Sequence, residues 1–126
     1  MGGSDRRGQI SGAGQATLVS IKLFCCTGWA TAVISEEDEF QLFGFDIEYF
    51  DIDQIKTFCK NERPLYLVGG AHYIAIASKF KFLMIQNRSS KLIEFKTTVP
   101  IISLFSSYFD CFISLENTEL TFSATL

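Results

Sequence analysis

The sequence predicts a mostly β chain, built from antiparallel hairpins that recur along its length. Three observations carry this. The 126 residues are 48% apolar and 14% aromatic, with 13 Phe and only two Pro, a composition that favours strands over helices. Apolar runs of strand length alternate with short polar breaks, the pattern of hairpins. The third observation is a plan that repeats, clearest in Leu67 to Gln86: two glycines, an apolar strand, a polar break, and a second apolar strand.

Residues 1–16 are rich in Gly, Ser and Gln and read as a flexible tail ahead of a β-rich region at 17–126. From Thr17 to Phe24 apolar Val19, Ile21 and Leu23 alternate with a more polar set. Gly28 interrupts, and Trp29 to Ile34 reads as the next strand. Ser35 to Glu39 is wholly polar and forms a turn, after which Phe40, Leu42 and Phe43 resume a strand closed by Gly44. Phe45 to Phe50 either extends this sheet or connects it onward. Asp51 to Lys60 is the one stretch with helical spacing, in Ile52, Ile55 and Phe58 or Cys59. Asp51 or Asp53 is expected to cap its start by accepting backbone N–H bonds, and Lys60 suits its C-terminal end.

After Asn61 to Pro64, strands are expected at Leu65 to Val68, Tyr73 to Ala77 and Phe80 to Ile85. A polar turn over Gln86 to Ser90 and a weakly alternating run from Lys91 to Thr98 follow. Beyond Pro100, Ile101 to Phe105 and Tyr108 to Ile113 read as strands. Asn117, a residue that tolerates left-handed backbone, marks a turn, and Leu120 to Phe122 returns.

Net charge is −3, too small to argue for any class of partner. Acidic residues gather in one segment, and the turn Glu36, Glu37, Asp38 and Glu39 is the candidate contact surface for a protein partner on charge grounds alone. Lysines and arginines between Lys56 and Lys96 are scattered and not interleaved with stacking aromatics, which disfavours nucleic acid. Cys25, Cys26, Cys59 and Cys111 have no metal-ligand spacing, and a single histidine is too few for the usual zinc site, so no metal or cofactor is expected. Free, mostly buried thiols point to an intracellular, reducing compartment.

Arg6 and Arg7 before the run Leu18 to Ile34, with Ala30-Thr31-Ala32, give the outline of a secretory leader. Lys22 and the polar residues within the run argue against it, and the run is shorter than the ~20 apolar residues of a membrane span. Asn87-Arg88-Ser89 matters as a sequon only in a secreted chain. Met1-Gly2 fails as a myristoylation site, because position 6 is Arg6.

Three segments share the hairpin plan. They are Gly28 to Ile34 with Phe40 to Gly44, Gly70 to Ile76 with Phe82 to Ile85, and Ser107 to Ile113 with Leu120 to Ser123. Each follows a further apolar strand, giving repeats at 17–50, 64–98 and 100–126. Units of roughly forty residues with several strands each are the mark of a propeller blade or a similar array. The fold class expected is therefore mostly β, with antiparallel sheets forming two to three blades of an incomplete β-propeller. A single sandwich or barrel with one short helix is the alternative.

The middle copy, Val68-Gly69-Gly70-Ala71-His72-Tyr73-Ile74-Ala75-Ile76, resembles the repeat core of the regulator of chromosome condensation (RCC1) family. There a glycine, a histidine and small apolar residues lead into a hairpin. The first copy resembles it with Trp29 near the histidine position and Phe43-Gly44 closing the unit; the third is more degenerate. Departures are clear: Glu37-Asp38, Ser78-Lys79 and Glu116-Asn117 stand where the family turns on Asp-Gly. The resemblance implies structural roles for Gly28, Trp29, Gly44, Gly70 and His72. It also implies a protein-binding module, of a kind that in some members promotes nucleotide exchange on small GTPases and in others binds chromatin. A propeller fragment of this size would leave sheet edges open to self-association.

No catalytic constellation emerges. His72 lacks a neighbouring carboxylate and nucleophile in sequence. Gly69-Gly70 leads into a strand and lacks the spacing of a phosphate loop. The reading is a non-enzymatic interaction module. The alternatives are a compact intracellular β adaptor and a secreted, small-ligand-binding barrel.

Overall fold

The computed structural model describes residues 20–45, 47, 50–87 and 91–123. The expected tail at 1–16, the start of the first strand at 17–19, most of the segment after Phe45 and Arg88 to Ser90 of the sequon turn lie outside these residues.

Ten strands and one helix follow in order: β1 (Ile21–Cys26), β2 (Ala30–Ser35), β3 (Phe40–Gly44), α1 (Ile52–Asn61), β4 (Tyr66–Gly69), β5 (Tyr73–Ala77), β6 (Lys81–Gln86), β7 (Leu92–Lys96), β8 (Ser103–Ser106), β9 (Asp110–Ser114) and β10 (Glu119–Ser123). They form three antiparallel meanders: β1-β2-β3, β4-β5-β6-β7 and β8-β9-β10. The fold is mostly β, blade-like in its sheets, with one short helix and no closed barrel among the described residues. The first strand of each meander touches that of the next, β1 against β4 and β4 against β8.

The middle sheet decides how the others stack. Tyr73-Ile-Ala-Ile-Ala77 is buried at every position, because a sheet covered on both sides needs apolar residues in both alternating sets. One set, Ile74 and Ile76 with Leu67, Leu83 and Ile85, packs against Ala30, Ala32, Ile34, Phe40 and Leu42 of the first sheet. The other set, Tyr73, Ala75 and Ala77 with Phe82 and Met84, packs against Leu104, Cys111 and Ile113 of the third. Alanines on β2 and β5 let the layers approach. Each fully buried isoleucine contributes about 1.5–3 kcal/mol by leaving water.

Helix α1 closes the first cluster with Ile55, Phe58 and Cys59, which pack with Phe40 and Phe50. A ten-residue helix is marginal alone, so this packing holds it. Asp53 and Lys60 suit the helix dipole, as expected. The expected cap does not form: Asp51 is the N-cap, but its side chain makes no capping hydrogen bond. Lys81 ties the helix end to the middle sheet through ion pairs with Glu94 (3.3 Å) and Glu62 (3.9 Å). Asn117 is not left-handed; among the described residues only Asp38 has positive φ without being glycine. The run with a leader's outline supplies β1 and β2, burying Ala30, Ala32 and Ile34 in the core. Among the described residues no helix is long and apolar enough to cross a membrane.

Candidate functional site

A meander sends successive turns to opposite ends of its sheet. The turns joining the first two strands of each meander lie at one end of the stack, and the structure brings them together. Gly28 and Trp29 from β1–β2, Gly70 and His72 from β4–β5, and Ser107 and Tyr108 from β8–β9 line one open cavity of about 640 Å³. Each pair comes from the turn between the first two strands of its meander, and Gly28, Trp29, Gly70 and His72 are among the positions singled out in the sequence.

Each turn is latched to the next. The Trp29 indole Nε1–H donates to the Gly70 carbonyl at 3.1 Å, and the Trp29 ring lies 5.6 Å from Phe50. The Ala71 N–H donates to the Tyr108 carbonyl at 2.8 Å. Tyr73, fully buried, donates its hydroxyl to the carbonyls of Asp110 (2.7 Å) and Ser107 (3.2 Å). Burial pushes the Tyr73 phenol above its ordinary pKa, which keeps it a donor. An amphipathic ring with one polar tip suits this position, because it fills the gap between sheets and satisfies backbone oxygens beyond it.

The glycines differ in what they permit. Gly44, with φ +156°, backs Trp29 so closely that a Cβ would collide with the Trp29 carbonyl oxygen and the Ala30 backbone. A Cβ on Gly70 would strike the Tyr73 ring and come within 2.8 Å of the Tyr108 carbonyl. At Gly28 a Cβ meets nothing.

Two of the polar side chains at this cavity, His72 and Ser107, are engaged within the chain. His72 stacks on Phe109 at 6.3 Å, and Phe109 in turn meets Tyr108 at 4.7 Å. Ser107 Oγ accepts from the Asp110 N–H at 3.2 Å, which occupies it in its own turn. Burial pushes the thiols of Cys25, Cys59 and Cys111 up to about 12, so they are protonated at neutral pH. Among the described residues no three His, Cys, Asp or Glu side chains gather as metal ligands.

The acidic turn lies at the other end of the first sheet, between β2 and β3. It is ordered: the Ser35 hydroxyl oxygen accepts from the N–H groups of Glu37 (3.2 Å) and Glu39 (3.1 Å). Asp38 is half-buried and ion-paired with Lys22. Glu36, Glu37 and Glu39 are exposed. Glu37, Asp38 and Glu39 border a second cavity of about 580 Å³ with Lys56 and Lys60. The field there is mixed, and Asp38 is committed within the chain.

A surface that sequence reasoning missed lies on the outer face of the first sheet. Register aligns Phe24 with Val33 and Gln41, and Cys26 with Thr31 and Phe43. All six point away from the core. Phe24 is 66% exposed and Phe43 is 56% exposed. The alternation of β1 and β3 could have signalled two apolar faces, but not which of them stays uncovered. The sequence matches no known family model and no curated protein.

Proposed function

We propose that this chain is a non-enzymatic protein-interaction module, intracellular, built as three blades of an RCC1-like incomplete propeller. The blade sequence Gly-Gly-Ala-His, the adjacency of the three first strands and the latches between equivalent turns support the repeat reading. The observation that carries the interaction reading is the outer face of β1-β2-β3. The middle sheet shows what a stacked blade requires, namely apolar cover on both faces. Among the described residues the first sheet has cover on one face only, and Phe24 and Phe43 are exposed on the other. Exposed aromatics that share one sheet face, with Val33 and Thr31 of the strand between them, form an apolar surface of the kind that marks protein contacts. The partner is another protein, as in family members that regulate small GTPases or attach to chromatin.

The test is the double variant F24S/F43S. The wild-type chain is expected to bind a hydrophobic dye and to self-associate in sedimentation. The variant should lose both while keeping the same far-ultraviolet circular dichroism. A wild-type chain that is monomeric, dye-silent and indifferent to the substitutions would overturn the reading.

A further inference from the structure

The three meanders are not equal in width. The middle sheet has a fourth strand, β7, paired to β6 through Phe82↔Phe95 and Met84↔Ile93. In the first sheet, helix α1 packs against the outer strand β3. The third sheet ends at β10, and among the described residues no strand pairs with the outer edge of β10.

The backbone groups that face outward along that edge can be identified from the register. The Leu115 N–H donates to the Thr118 carbonyl where the β9–β10 hairpin closes. In an antiparallel ladder, alternate residues turn toward the neighbouring strand. The register Leu120↔Ile113 and Phe122↔Cys111 continues that bonded set. Glu119, Thr121 and Ser123 therefore aim their N–H and C=O groups outward.

The space beside this edge has an apolar floor. Phe122 of β10 packs on Phe82 and on Phe95 of β7, each with ring centroids 5.4 Å apart. β7 thus reaches over the third strand of the next sheet, and its Ile93 and Phe95 are only half-buried there. A strand laid along β10 would cover them with its inward side chains. A whole second sheet would meet β7. On the outward side, Glu116 and Glu119 are exposed, which favours a basic residue there.

We propose that the outer edge of β10 is a strand-addition site for an extended segment of a partner protein. That segment carries apolar residues at every second position and a basic residue on the other face. The middle sheet supplies the template, because β7, with the sequence Leu-Ile-Glu-Phe-Lys, fills the equivalent position. The mode is β-augmentation, in which main-chain hydrogen bonds hold the peptide and alternate side chains select it. The site goes beyond the aromatic face of the first sheet and uses none of its residues.

The probe is a synthetic peptide copying residues 91–97 with Glu94→Lys, Lys-Leu-Ile-Lys-Phe-Lys-Thr, which keeps the apolar inward set and makes the outward face basic. Saturating the full chain with it should slow hydrogen exchange at the Thr121 amide. Thr121→Pro removes an outward N–H with no acceptor strand among the described residues, a position where edge strands tolerate proline. It should weaken the peptide by about tenfold with unchanged circular dichroism. Two N-methylated peptides, blocked at opposite alternating sets of amides, keep the test independent of that variant: one should fail to bind and the other should bind. F24S/F43S should leave peptide binding unchanged, so failure of the aromatic-face reading is separable from failure here. Absence of binding, equal binding by both methylated peptides, or a Thr121 amide already protected in the probe-free monomer would each overturn the proposal. The last result would mean that another part of this chain holds the edge.

Discussion

Replacing Tyr73 by Phe removes one oxygen from the joint between the second and third sheets and leaves its ring volume unchanged. The hydroxyl serves two carbonyls, Asp110 at 2.7 Å and Ser107 at 3.2 Å. Asp110 O keeps a second donor, the Ser107 N–H at 2.8 Å, while Ser107 sits in an exposed turn. The cost is thus that of one good hydrogen bond with partial replacement, about 1–2 kcal/mol. Urea unfolding followed by fluorescence measures it, and for a chain of this length the melting midpoint should fall by about 3–8 °C. Tyr66→Phe is the internal reference. Its hydroxyl donates to the Ile102 carbonyl at 2.6 Å, but Tyr66 is only half-buried, so its loss should be smaller. A Tyr73→Phe change below about 0.5 kcal/mol, or one no larger than that of Tyr66→Phe, would refute the latch.

Three glycines that look alike in the sequence should respond differently. Gly28→Ala is expected to be neutral. Gly70→Ala, meeting the Tyr73 ring and the Tyr108 carbonyl, and Gly44→Ala, meeting the Trp29 carbonyl, should each destabilise by about 2 kcal/mol or more in thermal melts. Of the four cysteines, exposed Cys26 should react first with a thiol reagent in the folded chain, the other three following only on unfolding. The thiols of Cys25, Cys59 and Cys111 ionise near 9.0 when unfolded and near 12 when folded. Above the lower value the unfolded chain sheds protons that the folded chain keeps. Stability should therefore be full at neutral pH and decline as pH rises from about 9 toward 12, read as a falling urea midpoint.

Much of the local structure was legible. The strands at Phe40–Gly44 and Tyr73–Ala77 coincide with their expected ranges, because glycines and polar breaks bound them sharply. Others shift by a residue or two where no such boundary exists, as at Ser103–Ser106. The single helix was legible from Ile52, Ile55 and Phe58, but its cap was not: Asp51 has the right position without the bond. The acidic turn was legible as a turn. Its ion pair was not, since Lys22 lies on β1 and reaches Asp38 only through the sheet.

What the sequence alone determined is local: where strands begin and end, and which of them are joined by short turns. Alternation and turn chemistry act between neighbours in the chain, so they are written locally. What only the tertiary structure decided is cover. Phe24 and Ile74 are both apolar strand residues, yet Ile74 is fully buried and Phe24 is 66% exposed. Among the described residues the middle sheet has a neighbour on each side, and the first sheet has one. The same holds for the three turns that meet around one cavity and for the outer edge of β10, with which no described strand pairs. Each depends on which sheet stacks on which, a contact between distant residues that no local pattern encodes.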